Sequence, residues 1–329
     1  MPMSTIVNPA RPKSQGRVAR TLRQYWRYRY LVLLLIPSLV VLLIFKYEPM
    51  YGVQIAFKDF KIRLGITGSP WYDPFWGVFA KVFSRPVFWQ AFQNTVILGF
   101  MNLVIGFPMP IILALLLNEL RNEKYKKVIQ TFSYLPHFIS WVTLSGLFIQ
   151  LLSPSSGPIA AVVTALGGTP YYFMGEVSTF RWVLVVTNIW KSVGWGSIIY
   201  LAALSGVDQE MYEAALIDGA SPFTMLRKIT LPLVRTTTVF VLMCTMANSF
   251  KMVDLIVTMT TKGGPNNSTN VLMYHIYQTA FAYWDIGKAS VMTVVMLVFM
   301  LLVSFVQYGG MDRHTPVSYT HLTLPTIRL

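Results

Sequence analysis

Six stretches of this sequence are apolar over enough residues to cross a lipid bilayer as helices. A spanning helix needs about 20 mostly apolar residues. The stretches cover residues 30–45, 95–117, 136–152, 181–204, 233–257 and 286–306. The first and third are short and depend on aromatic residues at their edges, which favour the membrane interface. We therefore predict an all-α integral membrane protein with six transmembrane helices.

The composition agrees with this prediction. Apolar residues make up 54% of the chain and charged residues 12%, whereas soluble domains carry about 25% charged residues. Because a water-facing surface needs more charge than this, a soluble domain is excluded and membrane lipid is an expected partner. The net charge of +14 lies in short segments beside apolar runs, so nucleic acid is not an expected partner.

Lys and Arg residues are distributed unevenly around the predicted spans. With the N-terminus inside, the three inner segments hold 13 Lys or Arg residues and the three outer ones hold 6, of which five lie in the segment 47–91. Cytoplasmic loops carry the excess of positive charge, and long loops count less. We therefore expect both termini in the cytoplasm and the chain in a bacterial cell membrane.

Two terminal segments lie outside the predicted membrane domain, which covers residues 30–308. Residues 1–29 hold seven Lys or Arg residues and no acid, and we interpret them as a basic cytoplasmic tail. A signal peptide is the alternative, although no small-residue cleavage site follows Phe45. Residues 309–329 lack helical periodicity and a basic exit, so we interpret them as a non-native or disordered tail.

The segment 207–232 is too polar to span lipid, but its pattern predicts two short helices. Asp208 is a suitable N-cap for the first helix, and Gly219 is suited to end it because glycine adopts a positive φ without a steric penalty. Ser221 can cap the second helix, with Pro222 at its first position. From the pattern alone, both an amphipathic interfacial helix and a slim helix that enters a groove on another protein stay open.

A motif in this segment resembles the "EAA" loop of binding-protein-dependent ABC importer permeases. That motif reads EAA, three residues, Gly, nine residues, and then I-x-L-P. Its spacings are matched without gaps by Glu213, Ala214, Ala215, Asp218, Gly219, Ala220, Ile229, Leu231 and Pro232. We call residues 207–232 the coupling loop.

Further agreement points to one branch of that family. The matching positions are residues 188–191, 194–195, 200–204, 263–265, Tyr277 and Phe281. They look like the carbohydrate branch, and most like the polysaccharide-type (LplB-like) permeases. The resemblance covers roughly residues 20–308, and only the final tail departs from it.

The resemblance implies a type I importer permease fold and a transport role without enzyme activity. The coupling loop would dock in a cleft of a separate ATPase subunit, where Glu213 would pair with a basic residue. ATP and Mg would bind to two such ATPase subunits, whose closure moves two permeases between inward-open and outward-open states. The second permease would be a homologue, and an extracytoplasmic solute-binding lipoprotein would deliver the sugar.

Polar and aromatic residues inside the predicted spans are candidates for a substrate pathway, because ionisable groups in lipid are costly. These candidates are Asn188, Lys191, Trp195, Asn248 and Lys251. Two interpretations stay open. Lys191 and Lys251 line the pore and contact sugar, which would suit uronic-acid oligosaccharides. Alternatively, Lys251 pairs with Asp254, and Lys191 pairs across the bundle or reaches the interface.

The sequence lacks the common motifs for phosphate binding, zinc binding and nucleophilic catalysis. No phosphate-loop, HExxH or GxSxG motif occurs, and the only cysteine, Cys244, excludes a disulfide framework. We therefore expect no cofactor, no metal and no catalytic residue in this chain.

Asn102, Gly106, Pro108 and Pro110 predict a kink in the second span. An ABC permease for another solute and an ion-coupled secondary carrier remain the alternative functions.

Overall fold

The computed structural model describes residues 26, 28–250, 252–260 and 263–311. Within these ranges the chain is mostly helical, and the one β-type pairing is an isolated antiparallel bridge between Lys58 and Trp71. The chain separates into two compact units, Met1–Gln54 and Ile55–Leu329.

The first unit holds helix α1, Arg29–Leu42, with Pro37 inside it. A π-turn, Leu43–Tyr47, and a 3-10 helix, Glu48–Phe57, continue the same helical stretch. The stretch Arg29–Phe57 is long and apolar enough to cross a membrane. The predicted first span therefore exists and extends beyond residue 45.

The second unit holds the remaining longer helices, which we number in chain order. They are α2 Gly77–Phe83, α3 Pro86–Met101, α4 Pro108–Glu119, α5 Glu123–Tyr134, α6 Trp141–Leu151, α7 Pro158–Ala165, α8 Val177–Ser205, α9 Gln209–Ile217, α10 Arg235–Ser249, α11 Asp254–Met259, α12 Leu272–Tyr277 and α13 Ile286–Met311. The last helix thus runs to Met311, beyond the predicted end at residue 308; residues 312–329 of the expected tail lie outside the described residues.

Three described helical stretches can cross a membrane by length and composition, and up to five spans result if each of two bent pairs is one span. Helix α8 is 29 residues long, but it carries the polar residues Asn188 and Lys191 and is not among those stretches. With α8 included, each of the six predicted spans has a helical counterpart.

The third span is bent rather than straight, which corrects the prediction of one span over 136–152. The stretches Glu123–Phe138 and Trp141–Leu151 meet at 104°. Pro136 lies in the 3-10 turn between them and has no N–H to continue a helix. Ser140 then caps α6 by accepting a hydrogen bond from the Thr143 N–H at 3.1 Å.

The fifth span is interrupted twice, so the prediction of one helix over 233–257 is also wrong. The stretches Pro222–Leu233 and Arg235–Met246 meet at 65°, and α10 ends before Phe250 while α11 begins only at Asp254. The buried Phe250 ring packs against Gly99, where a Cβ would lie 2.4 Å from the ring. Burial of this ring in the core accompanies the end of α10.

The second span contains a π-turn where the sequence predicts a kink. Residues Asn102–Gly106 form the π-turn between α3 and α4, and the stretch Pro86–Glu119 remains one long helix. Pro108 occupies the first turn of α4. The Asn102 side chain donates to the Leu98 carbonyl at 3.0 Å and so satisfies a backbone acceptor beside the turn.

Two further π-turns lie in the second unit, Leu226–Thr230 in the coupling loop and Gln278–Ala282 after α12. A π-turn closes its hydrogen bonds from residue i to i+5 and often lies at a functional site. In the described chain, the π-turns lie at the joints between helical segments.

Three apolar clusters hold the second unit together. The first joins α2, α3, α12 and α13 through Phe79, Phe88, Leu272 and Met292. The second contains Leu98, Leu184, Ile256 and Val271. The third consists of Ala114, Tyr200, Leu204 and Val234. The third cluster fixes the membrane end of the coupling loop, because Val234 lies two residues after it.

The turn at residues 263–267 is tied to two of the spanning helices. Gly263 and Gly264 have φ values of 84° and 72°, which favour glycine. The Arg181 guanidinium on α8 donates to the Ser268 carbonyl at 3.2 Å and to the Asn94 side chain on α3 at 2.7 Å. This turn therefore has a fixed position above α3 and α8.

Candidate functional site

The first half of the coupling loop is helix α9, and its start agrees with the prediction. The Asp208 carboxylate accepts a hydrogen bond from the Glu210 N–H at 3.0 Å. Such a cap satisfies one of the first N–H groups of a helix, which have no partner inside it. Asp208, at the polar start of the loop, therefore has a local role as the N-cap of α9.

The end of α9 is a glycine-centred turn. Gly219 has φ 75°, and its N–H donates to the Leu216 carbonyl at 3.0 Å. The Ala220 N–H donates to the Ala215 carbonyl at 2.9 Å. This pair of bonds defines the Schellman motif, in which a left-handed residue terminates the helix. The EAA triplet and the glycine four residues later are thus parts of one local structure.

The second half of the coupling loop begins at the predicted cap. The Ser221 side chain accepts from the Thr224 N–H at 3.3 Å, and Pro222 occupies the first turn. The chain continues through the π-turn Leu226–Thr230 into the short helix Leu231–Leu233. The hydroxyls of Tyr212 and Thr230 lie 2.9 Å apart, so a direct hydrogen bond joins the two halves.

The surface of this loop is more apolar than its sequence motif indicates. Glu213, Ala214 and Asp218 are exposed, Ala215, Ala220 and Ile229 are half-buried, and Leu231 and Pro232 are exposed. Three large apolar side chains stand in solvent beside them, namely Ile217 at 87%, Phe223 at 70% and Leu216 at 59% exposure.

Exposed apolar patches mark sites of interaction with another protein or with lipid. The sequence analysis did not assign Leu216, Ile217 and Phe223. The sequence did contain a sign of an interaction surface, because each of the three is a large apolar residue inside a segment too polar to span lipid. The combination of Glu213 with this apolar surface suits a groove that has an apolar floor and a basic rim.

The coupling loop is connected to the membrane through buried side chains. Val234 is 2% exposed and packs in the third cluster with Tyr200 and Leu204 of α8. Because interiors are close-packed and deform little, a displacement of Leu231–Leu233 moves Val234 and therefore α8. The 65° bend at this point redirects the chain into α10.

Lys191 lies in the middle of α8 and is 8% exposed. Its ammonium group donates to the carbonyls of Pro136 at 3.3 Å, His137 at 2.8 Å and Ile139. The same group lies 5.0 Å from the centre of the Trp141 ring, a distance suited to a cation–π contact. We call Lys191 with residues 136–141 the Lys191 bend. All three ammonium protons are used within it.

Trp195, one helical turn after Lys191, contacts the same bend. Its ring stacks on His137 with centroids 4.5 Å apart and planes 4° apart, while the indole remains 47% exposed. Between them, Gly194 lets α8 approach α5, since a Cβ there would lie 2.0 Å from the Ser133 carbonyl oxygen. The structure therefore brings Lys191 and Trp195 together around the 104° bend.

The remaining substrate-pathway candidates lie elsewhere. The Asn188 amide donates to the Asn102 side chain at 2.9 Å, and Asn102 in turn donates to the Met252 sulfur at 2.8 Å. Asn248 is exposed and donates to the Cys244 carbonyl at 2.9 Å. Lys251 lies outside the described residues. The predicted set therefore divides into the Lys191 bend, the Asn188–Asn102 pair and Asn248.

Metal ligands do not come together in the part of the chain that the structure describes, where no group of three or more His, Cys, Asp or Glu side chains could hold an ion. The coupling loop joins an exposed surface to the buried end of α8 through Val234, and the Lys191 bend joins the middle of α8 to the bent third span.

The family profile described as "Binding-protein-dependent transport system inner membrane component" matches residues 75–309. The chain belongs to this family. It is a membrane permease subunit of an ABC importer, in which ATP hydrolysis belongs to separate subunits. The predicted resemblance is confirmed, and so is an integral inner-membrane protein with several apolar helices.

Curated relatives of this permease include two proteins of Bacillus subtilis (strain 168). The chain is 44% identical to Protein LplB over 216 residues, which cover 66% of this chain and 67% of LplB. It is 39% identical to the polygalacturonan/rhamnogalacturonan transport system permease protein YteP over 235 residues, covering 71% and 72% of the two chains.

Solved structures of bacterial alginate importers share the fold of this permease. A crystal structure of an ABC transporter involved in the import of the acidic polysaccharide alginate matches with a TM-score of 0.81 and 32% identity, covering 90% of this chain and 99% of that chain. The alginate transporter in complex with an alginate pentasaccharide-bound periplasmic protein matches with a TM-score of 0.81 and 31% identity, covering 89% and 98%. The type I permease fold is therefore confirmed.

Proposed function

We propose that this permease forms half of the pore of an ATP-driven importer for oligosaccharides or polysaccharide fragments. The observation that carries the proposal is the alginate-importer fold shared over 90% of the chain at 32% identity. The permease YteP, whose name gives polygalacturonan and rhamnogalacturonan as its substrates, supports an acidic saccharide.

The partners in this proposal follow from the exposed surfaces and from the relatives. Two ATPase subunits, which bind ATP and Mg, grip the coupling loop of this chain and of a second homologous permease. An extracytoplasmic solute-binding lipoprotein delivers the sugar, as a periplasmic protein accompanies the alginate transporter. Both termini lie in the cytoplasm, with residues 1–29 as a basic tail, residues 30–308 as the membrane domain and residues 309–329 without a role in transport.

The coupling loop converts ATPase closure into helix movement. Glu213 pairs with a basic residue of the ATPase, while Leu216, Ile217 and Phe223 fill its apolar groove. The hydrogen bond between Tyr212 and Thr230 makes the two halves move together. The rigid body formed in this way pushes Val234 against α8 and alternates the pore between its two states.

The substrate pathway has a different arrangement from the coupling loop. Trp195 and Asn248 retain exposed surface, so they contact the sugar by stacking and hydrogen bonding. Asn188 and Lys191 are positioning residues, because their polar atoms bond to Asn102 and to the Lys191 bend. Lys251 contributes a cation for acidic saccharides on the same pathway.

Reconstitution of the complete importer in vesicles tests the function. ATP inside and a loaded binding protein outside should give uptake of labelled oligogalacturonate, and Glu213→Ala should lower it by about tenfold without lowering the melting temperature. Uptake that follows a sodium or proton gradient without ATP would overturn the proposal.

The orientation is tested in cells with a Cys244→Ser background. A cysteine placed at Asp218 should react with a permeant maleimide and resist an impermeant one. The reverse pattern would place the coupling loop outside the cell and would remove the ATPase from the mechanism. A cysteine placed at Thr67, which is exposed in the outer segment 47–91, serves as the matched control and should react with both reagents.

A further inference from the structure

A small cavity with both charged and apolar lining residues lies where two membrane helices begin, away from the coupling loop and the Lys191 bend. Arg85 directly precedes α3, and Lys288 lies in the first turn of α13. Both line this cavity together with His275, Tyr283 and Asp285. We place the cavity at the boundary between the bilayer and water, because α3 and α13 both begin here.

The charges around the cavity do not cancel. Lys288 is paired with Asp285 through its ammonium group, and the Asp285 carboxylate also caps the Lys288 N–H at 3.1 Å. The Arg85 guanidinium has no hydrogen-bond or ion-pair partner among the described residues. Two cations against one carboxylate leave one positive charge, carried by a group with five N–H donors in a planar fork.

His275 adds a neutral polar group to this wall. Burial lowers the pKa of His275, and the positive charge of Arg85 lowers this pKa further. The ring is therefore uncharged at pH 7 and can donate one hydrogen bond. The Tyr283 hydroxyl supplies another donor at the mouth, where the side chain is 70% exposed. Several donors and a surplus cation converge on one small space.

The size and floor of the cavity restrict its ligand. The volume is about 110 Å³, which exceeds the need of one water but is smaller than the ~300 Å³ of ordinary ligand pockets. Val82, Phe88 and Met292 form an apolar floor that belongs to the first cluster. This space fits one oxyanionic group attached to an apolar body better than a chain of hydroxylated rings.

We propose that this cavity binds the phosphate of an anionic phospholipid through Arg85, with the acyl chains lying along the lipid-facing surface of α3 and α13. Arginine recognises phosphate by paired charge-assisted hydrogen bonds. Exposed aromatic side chains at the same level, Trp89 at 49%, Tyr283 at 70% and Trp284 at 67%, are the residue types that prefer the headgroup region.

The backbone before α13 is shaped to form this mouth. Trp284 has φ 54°, a left-handed conformation that costs a non-glycine residue about 1–2 kcal/mol. The turn allows Tyr283 and Asp285, on either side of Trp284, to line the same cavity. The contacts around Trp284 compensate the free-energy cost of its left-handed conformation.

Lipid analysis of the assembled importer tests the proposal. The complex is purified from phosphatidylglycerol-containing membranes, washed in detergent, and the bound lipid is quantified per permease by native mass spectrometry. Arg85→Gln should reduce retained phosphatidylglycerol about tenfold, the loss expected for one charge-assisted contact. Lys81→Gln is the matched control, because Lys81 contacts Tyr72 and does not line the cavity.

A second arm distinguishes the source of the oxyanion. In nanodiscs of zwitterionic lipid, inorganic phosphate and oligogalacturonate are titrated while the melting temperature is followed. Equal phosphatidylglycerol retention in Arg85→Gln and the wild type would overturn the proposal, and so would an Arg85-dependent response to oligogalacturonate without lipid selectivity. Arg85→Lys, which keeps the charge, should retain more phosphatidylglycerol than Arg85→Gln and verifies that the fold tolerates substitution there.

Discussion

The coupling loop and the Lys191 bend use charged residues in opposite ways. Glu213 is exposed on α9 and has no ion-pair partner within the described chain. Lys191 is 8% exposed and donates to three carbonyls of its own chain. The sequence singles out Glu213 by the EAA motif and Lys191 as an ionisable residue inside a predicted span, but only Glu213 is available to another molecule.

The difference teaches how to separate partner-binding residues from positioning residues in a membrane protein. A buried ion is tolerated only when hydrogen bonds compensate its desolvation. Replacing Lys191 therefore damages the fold itself. An exposed ion contributes little to stability, so replacing Glu213 changes only what the surface binds. Measurements of stability and transport on the same variants test this distinction.

The largest effect is expected at the Lys191 bend. Lys191→Met leaves the half-buried carbonyls of His137 and Ile139 without their donor, whereas the Pro136 carbonyl keeps the Ile139 N–H; an unsatisfied buried group costs about 1–3 kcal/mol. We expect a loss of several kcal/mol in the free energy of unfolding, seen as a much lower melting temperature in detergent, and no measurable uptake. Ser192→Ala is the control, because the Ser192 hydroxyl bonds only within α8. A wild-type melting temperature for Lys191→Met would show that Lys191 is not needed for stability, and would contradict the distinction between Lys191 as a positioning residue and Glu213 as a partner-binding residue.

The next effect is expected at the turn of the coupling loop. Gly219→Val places a β-branched residue at φ 75°, which costs about 1–2 kcal/mol. No atom lies within 4 Å of a Cβ at Gly219, so the effect is conformational and local. We expect strongly reduced uptake with a nearly unchanged melting temperature of the membrane helices.

Gly206→Ala is the matched control for the glycine turn. Gly206 ends α8 at φ −86°, and its added Cβ would lie 3.5 Å from the nearest atom. Alanine is accommodated there without strain, so uptake should stay at the wild-type level. Equal losses in the two variants would show that the left-handed turn has no special role.

A smaller effect is expected at Glu213. Glu213→Gln keeps the shape and removes the charge, which should lower uptake about tenfold, corresponding to roughly 1.4 kcal/mol of lost docking energy. The melting temperature of the isolated permease should not change. Glu210→Gln, in the first turn of the same helix, should leave ATPase stimulation by the loaded binding protein intact. If Glu213→Gln and Glu210→Gln lowered uptake equally, the docking contact would be a general charge attraction and not a specific pairing of Glu213.

The smallest effect is expected at the second cap. Ser221→Ala removes the acceptor for the Thr224 N–H and destabilises the short helix by about 1 kcal/mol. Hydrogen exchange at the amides of residues 223–225 should become faster, while uptake falls only slightly because docking restores the helix. Ser205→Ala, whose hydroxyl bonds to Leu201 in its own helix, should leave these amides unchanged.

Much of the coupling loop could be predicted because its structure is local. The Asp208 and Ser221 caps, the left-handed Gly219 and the position of Pro222 all depend on neighbours within a few residues. The apolar surface of Leu216, Ile217 and Phe223 was not predicted, since its exposure depends on how the loop leaves the bundle.

The breaks in the third and fifth spans could not be predicted from hydropathy. Averages over a window report the apolar character of 136–152 and 233–257 but not a change of direction. The partners of Lys191 lie 52 to 55 positions away in sequence, and Phe250 meets Gly99 across the bundle. Only the folded chain shows which distant backbone groups supply such contacts.

The π-turn Leu226–Thr230 lies near the membrane end of the coupling loop. A π-turn contains one residue more than the corresponding α-helical turn. Loss of that surplus would rotate the following helix by about 100° and shift it by about 1.5 Å along its axis, the values for one α-helical residue. We expect a deletion of one residue in 226–230 to turn the short helix Leu231–Leu233 in this way against the buried Val234, and uptake by the reconstituted importer measures the consequence for transport.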